Sequence, residues 1–509
     1  MPGLILVAAL FAAIAPPARG AEPAPRIDVI LWFDTEDYML PASDDAAKRI
    51  AEMLTARQVR ATFKVVGEKA RVLERRGRQD VIAALRRHAI GYHTDFHSVH
   101  PTPTEYLAEA GLLDGMADFT ARERQGAADV RRIFGVKTLA CYGQPGSSWA
   151  PQAVAALRDI GVAPSGVPCY VDEGDHVGLE HQPFWYAGAL HVYRMGENWT
   201  RMELHEADAL GKGRQEFDER ADRLARERSG GVISIFYHPC EWVHREFWDG
   251  VNFRRGANPP REDWRPPPQR TAAETEAAFE RFGAYIDHIR NRPGVRFITA
   301  ADLPARYPDR ARTRGATPEE LDTLAQRIVE AKGAGLDFQV LNGKAFSVAD
   351  QFELLLAAMT RQIAGSGVRS ALPTRGLLGP DQAPPPSSPQ ASWPWPAFRD
   401  ATLKLQTIVT AERRVPARVF VGTEPVPPLD YLDSLATTYL EWRRTGSPPV
   451  GAGVRNRNAG GLLTARYVAE DTPGLFGGWI IHREGFRAPQ LMALARLQAW
   501  TLKPALRAE

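Results

Sequence analysis

The run Arg26–Asp34 (R-I-D-V-I-L-W-F-D) is almost continuously apolar and closes on an acid. That pattern predicts a strand buried on both faces of a parallel sheet. Ala46–Arg57 follows with Ile50, Met53 and Leu54 on one helical face. Val59–Val66 and Ala89–Tyr92 read as further strands, with a helix over Asp80–His88 between them. Gly126–Phe134 and Pro151–Ile160 are predicted helices either side of a strand over Lys137–Tyr142. Gly231–Tyr237 (G-V-I-S-I-F-Y) is another buried strand. A long amphipathic helix at Thr275–Asn291 leads to a last strand at Val295–Thr299 and a short segment Ala300–Tyr307. Strands alternating with helices over this length predict a (β/α) barrel, whose reactive residues sit where strands end. Asp34, His93, Tyr142 and His238 all fall at such ends.

Beyond residue 310 the pattern changes. Ala311–Glu319 is mostly polar and reads as a linker; Leu321–Ala334, Val348–Ile363, Phe398–Arg413, Leu429–Arg443 and Ala488–Leu502 have helical periodicity. Residues 373–396 are rich in proline and serine (A-P-P-P-S-S-P, W-P-W-P) and read as a loop. The stretches from Val340 and from Val419 share one plan: a short apolar piece, a glycine turn, then an amphipathic helix. They form a degenerate repeat with a loose resemblance to pseudomurein-binding repeats, which implies a cell-wall polymer as partner. The expected division is 1–20 signal peptide, 26–310 catalytic domain and 316–509 mainly helical domain.

Composition narrows the class. The 509 residues are 44% hydrophobic and 24% charged, as in globular proteins, with a net charge of +2 and no polybasic run. Nothing in that balance points to nucleic acid. Leu4–Ala15 is an apolar stretch ahead of small residues, the form of a secretory signal cut at Gly20–Ala21, so a periplasmic or secreted protein is expected. No later stretch is long and apolar enough to span a bilayer. Cys141, Cys169 and Cys240 lack C-x-x-C spacing and read as buried core residues, with a Cys141–Cys169 bridge as the alternative.

The chemistry concentrates in two segments. Gly91–Pro101 (G-Y-H-T-D-F-H-S-V-H-P) sets His93 and His97 at i and i+4, close enough to share one cation. D-T-E-D at Asp34–Asp37 crowds three carboxylates behind a buried strand, which is costly unless a cation or solvent compensates. Two imidazoles and one carboxylate leave coordination positions open, as a hydrolytic metal requires. His238, directly after Gly231–Tyr237, is placed to protonate a leaving group.

These segments resemble the motifs of the polysaccharide deacetylases, carbohydrate esterase family 4, over roughly residues 27–305. W-F-D-T-E-D fills the acidic first motif, H-T-D-F-H-S the second and S-I-F-Y-H the last. The resemblance implies a distorted (β/α) barrel and removal of N-acetyl groups from an N-acetylated glycan. Asp34 would be the general base and His238 the general acid. Asp37, His93 and His97 would hold a divalent metal, Zn²⁺ or else Co²⁺ or Ni²⁺. The family's acidic pair is D-D, so Glu36 is an alternative to Asp37. L-A-C-Y-G-Q-P-G from Leu139 lacks the arginine that steadies the base in the family, and Tyr142 or Gln144 is expected in its space. Tyr142 and Trp185 are the expected substrate-binding residues. The alternatives are an amidohydrolase of this fold acting on a small non-sugar amide, and an inactive carbohydrate-binding relative.

Overall fold

The computed structural model describes residues 27–508, apart from 173, 175, 180–181, 193–197, 228–229, 332–334, 452, 458–462 and 464–465. The expected signal peptide lies outside the described residues. An 11-stranded, mixed sheet curls into a half-barrel. Its strands are β1 Ile27–Thr35, β2 Thr62–Val65, β3 Ala89–Tyr92, β4 Tyr142–Gly143, β5 Cys169–Val171, β6 Phe184–Tyr186, β7 Ala189–His191, β8 Trp199–Thr200, β9 Gly231–Tyr237, β10 Val295–Ile298 and, near the far end of the chain, β17 Lys503–Pro504. β1 is central, pairing in parallel with β9 on one side and with β10 and then β2 on the other.

Alternation along the strands sorts side chains into two layers. Val29, Leu31 and Phe33 of β1 join Phe63, Val65, Ile90, Tyr92 and Tyr142 in the core beneath the outer helices. Ile30 and Trp32 join Cys141, Cys169, Val171, Val232 and Phe236 inside the curl. All three cysteines are free and buried, so no Cys141–Cys169 bridge forms.

Several elements differ from expectation: the strand expected at Lys137–Tyr142 is confined to Tyr142–Gly143, and the helix expected at Pro151–Ile160 ends at Ala155. The helix expected at Gly126–Phe134 runs over Leu112–Phe134 and ends on Gly135, left-handed at φ 60°. Its glycines mask the pattern because they are packing contacts: a Cβ on Gly126 would lie 2.4 Å from the Tyr92 hydroxyl. The segment read as a linker instead holds a helical turn, Arg310–Arg314, and Ala316 exchanges two backbone hydrogen bonds with Leu372. Ala311 and Ala316 are buried in a second core, which fixes the chain there.

That second core is built on two hairpin–helix units. β11 Gln339–Leu341 and β12 Lys344–Phe346 precede the helix Val348–Ile363. β13 Ser392–Trp393 lies inside the stretch 373–396 that reads as a loop. β14 Val419–Val421 and β15 Glu424–Val426 precede the helix Pro428–Thr445. In the first unit Asn342 and Gly343 both have positive φ, 49° and 70°, as a two-residue turn demands. β16 Val454–Arg455 pairs with β13. Residues 466–508 then return to the half-barrel. Phe476, Leu491 and Met492 enter the first core, and β17 Lys503–Pro504 pairs antiparallel with β6.

Candidate metal centre

The C-terminal ends of β1, β3 and β9 converge inside the curl. Asp34 stands near the end of β1 with its side chain inward, on the same face as Ile30 and Trp32. Two residues on, Glu36 keeps that direction. His93 follows β3, and His97 follows a tight loop in which Thr94 and His97 take left-handed φ of 60° and 58°. Non-glycine residues are strained there. The Thr94 hydroxyl accepts the His97 N–H at 3.1 Å, which helps to hold that conformation.

One atom from each of Glu36, His93 and His97 lies within 4.8 Å of the other two, and all three residues are buried. His97 Nε2 is 2.8 Å and His93 Nε2 3.7 Å from Glu36 Oε2. The far nitrogens explain this orientation. His93 Nδ1 is 2.8 Å from the Gly143 carbonyl, which can only accept. That bond places the proton on Nδ1 and leaves a lone pair on Nε2 for the centre. His97 Nδ1 is 2.6 Å from the Ser98 hydroxyl, which donates its own proton to Asp249 Oδ2 at 3.1 Å. Ser98 therefore accepts from His97, and the His97 Nε2 lone pair also faces inward. Two inward imidazole lone pairs and one carboxylate oxygen fit a divalent transition metal of the Zn²⁺ type.

The electrostatics agree with a demand for positive charge. Burial disfavours the charged form of Glu36, but His97 and His238 outweigh it and hold its pKa well below the usual range. Burial opposes a charge on His97 too, and Glu36 overcomes that, raising its pKa. A proton and a cation thus compete for this place.

Asp37 is not part of the cluster. Its Oδ1 accepts the Met39 N–H at 2.8 Å, and its Oδ2 faces His244 Nδ1 at 3.3 Å. Its carbonyl accepts from Lys69. Of the two carboxylates considered from sequence, the structure brings Glu36 to the histidines and turns Asp37 away.

Asp34 lies beside the cluster, with Oδ2 3.4 Å from His93 Nε2. Its Oδ1 meets Lys64 Nζ at 2.7 Å, with both side chains no more than 1% exposed. Lys64 is the register partner of Asp34 on β2, and Gly91 is that of Lys64 on β3. A Cβ on Gly143 would fall 2.6 Å from Lys64 Nζ. The two glycines leave the channel that this lysine fills. The partner beside the acid is thus Lys64 of β2, and neither Tyr142 nor Gln144 fills that place.

His238, after β9, brings Nε2 to 3.9 Å from Asp34 and 4.0 Å from Glu36. Its Nδ1 donates to Glu241 Oε1 at 2.7 Å, and Arg201 in turn holds Glu241 at 2.5 Å. Burial works against the imidazolium, but Glu36 and Glu241 raise its pKa to about 9. His238 is the most open of these groups, its side chain 15% exposed.

The expected substrate-binding residues lie elsewhere. Tyr142 is on the outer face of β4, packed against Tyr92, Phe119 and Tyr170. Cys141 and Gly143 take the inner face. Trp185 is 7% exposed in the inner cluster, opposite Lys503 of β17. Gln144 is buried too, bonded to Asp172 and Tyr170. The aromatic rings beside the site include Phe247 and Phe236, 4.7 Å and 4.8 Å from His238, and Trp479 and Trp248, 5.5 Å and 6.1 Å from His97. Phe247 was reachable as part of the aromatic run after His238, but Trp479 carries no local signal.

No family model and no curated protein matches the chain. Similar solved structures include a Mycobacterium smegmatis protein provisionally named a polysaccharide deacetylase, 13% identical, covering 58% of this chain and 93% of its own, with a TM-score of 0.36. Another is the Xyl-CE4 domain of a multidomain xylanase from a Trinervitermes trinervoides hindgut metagenome, 9% identical, covering 55% and 90%, with a TM-score of 0.29. A third is 4-alpha-glucanotransferase from Thermococcus litoralis, 11% identical, covering 82% and 60%, with a TM-score of 0.38. At such identities and scores these likenesses assign no activity.

Proposed function

We propose that the chain is a divalent-metal hydrolase that removes acetyl groups from an N-acetylated glycan. The observation carrying this reading is the convergence of Glu36 with two histidines whose Nε2 lone pairs face one point, between an acid and a histidine on adjoining strands. Glu36, His93 and His97 would hold the metal, with Zn²⁺ the best match to two imidazoles and a carboxylate. A bound cation of this kind polarises a carbonyl and makes water acidic.

The chain's own residues supply the proton traffic. Asp34, ion-paired to Lys64, takes the proton from the attacking water. His238 carries a proton on Nε2 while Nδ1–H is tied to Glu241, and gives it to the departing amine. Water adds to the acetamide carbonyl, the C–N bond breaks, and acetate and a free amine result. Phe247 and Trp479 would border the sugar.

A second reading, hydrolysis of a small non-sugar amide, draws support from the depth of the site: Asp34, Glu36, His93 and His97 are each at most 4% exposed. Acetate release from N-acetylated oligosaccharides and from simple acetamides separates the two. Metal content of purified wild type and His97→Ala is measured beside it. A wild type that takes up no divalent cation, with a variant that behaves identically, removes the metal-hydrolase reading. A secreted location and a cell-wall partner for residues 316–509 are further parts of this proposal; full-length protein that fails to sediment with purified cell-wall polymer would sink the second. No helix among the described residues is long and apolar enough to cross a membrane.

A further inference from the structure

Residues 473–486 lie across the rim of the centre although they come from the far end of the chain. Ser147 donates to the Phe476 carbonyl at 2.7 Å. His482 Nδ1 bonds the same carbonyl at 2.8 Å, and its Nε2 meets the Thr102 hydroxyl at 3.1 Å. The Arg255 N–H donates to the Ile480 carbonyl at 2.8 Å. Ile481 is buried with Tyr38, Val66, Trp248 and Phe253. So anchored, the segment sets Trp479 edge-on to His97 at 5.5 Å. The fit is close: a Cβ on Gly146 would fall 2.5 Å from the Trp479 ring.

The Trp479 Nε1–H donates to Asp249 Oδ2 at 3.3 Å, the oxygen that also accepts from Ser98. Asp249 is 4% exposed, and its other oxygen accepts the Gly250 N–H at 2.6 Å. The chain Trp479–Asp249–Ser98–His97 is thus continuous. An indole can only donate, so it fixes Asp249 as acceptor. Asp249 fixes Ser98 as donor, and Ser98 leaves the His97 Nε2 lone pair facing the centre.

We infer that Trp479 is a positioning residue for the metal ligand His97, so that the C-terminal region completes the metal centre. This inference rests on the proposed assignment of His97 as a ligand. Outer partners of metal-bound histidines change affinity by about 10–100-fold.

The test is titration of the full-length protein with Co²⁺ alone, read by its visible absorption, and with Zn²⁺ by competition. Trp479→Phe keeps an aromatic ring but not the donor, and is expected to bind about 10-fold more weakly. Asp249→Asn is expected to lose about 10–100-fold. The double variant is expected to bind no more weakly than Asp249→Asn, because Trp479 acts through that carboxylate. Trp479→Phe binding Co²⁺ as tightly as wild type would overturn the inference, as would strictly additive losses. A wild type that binds neither ion removes the ligand assignment instead. Thermal unfolding of each metal-free variant separates a lost fold from a lost ligand.

Discussion

Lys64→Met tests whether the cation beside Asp34 is needed to keep that acid in the barrel. Lys64 Nζ and Asp34 Oδ1 are 2.7 Å apart and both side chains are at most 1% exposed. At an effective dielectric constant of about 20, such a pair attracts by about 6 kcal/mol. Desolvation of both ions offsets much of that, so the pair itself need not stabilise the fold. Removing one partner is different, because it strands a buried carboxylate at a cost of about 3–5 kcal/mol. Nearby imidazoles soften the loss here: His93 stands 3.4 Å and His238 3.9 Å from Asp34 Oδ2. The expected cost is therefore at the lower end, about 3 kcal/mol. Methionine is close in volume and leaves no large cavity. Urea unfolding at pH 7, followed by circular dichroism, measures the difference. The double variant Lys64→Met, Asp34→Asn is expected to recover most of it, since neither charge is then left alone. A single variant costing under about 1 kcal/mol, or a double variant costing the sum of both singles, would refute the reasoning.

Two further outcomes follow from the same geometry. Glu36→Gln is expected to weaken Zn²⁺ binding by at least about 100-fold, whereas Asp37→Asn, outside the cluster, is expected to change it by less than about 10-fold. Equilibrium dialysis against the metal decides, and the reverse order would restore Asp37 as the ligand. Buried Glu123 has its pKa raised to about 7 by burial, against the hydrogen bond from Tyr92. An acid whose folded pKa is raised destabilises the fold as pH rises from its unfolded value near 4.5 to about 7. Glu123→Gln should remove about 2–3 kcal/mol of that decline between pH 4.5 and pH 8, measured by denaturant unfolding at both. An unchanged pH slope would mean that Glu123 is already ionised in the fold.

Much of the site was legible from sequence because it hangs on strand ends. β3 and β9 match the expected Ala89–Tyr92 and Gly231–Tyr237, and the histidines follow them directly. The choice between Glu36 and Asp37 was also written in the alternation of β1. Asp34 faces inward, so Glu36 shares its side and Asp37 does not. The same parity puts Tyr142 outside, between inward Cys141 and Gly143. Lys64 carried a usable signal, a charge on the inner face of a short buried strand, which demands a partner. Which acid it meets depends on the register of β2 with β1, and no local pattern states that. Trp479 was illegible for a stronger reason. Its partners are Asp249 and His97, and only the tertiary path of the chain joins them.

The pairing of β17 with β6 has a consequence for how the molecule is made. β6 would otherwise end the sheet on that side as an open row of N–H and C=O groups, a template for pairing with other chains. Its cover, Lys503–Pro504, is synthesised only after the whole second core. The cover reaches one residue further, since the Ala505 N–H donates to the Pro183 carbonyl at 3.0 Å. Until those residues emerge, the nascent half-barrel carries an unprotected border and an incomplete core, and its safe handling depends on chaperones or on the speed of the final docking step.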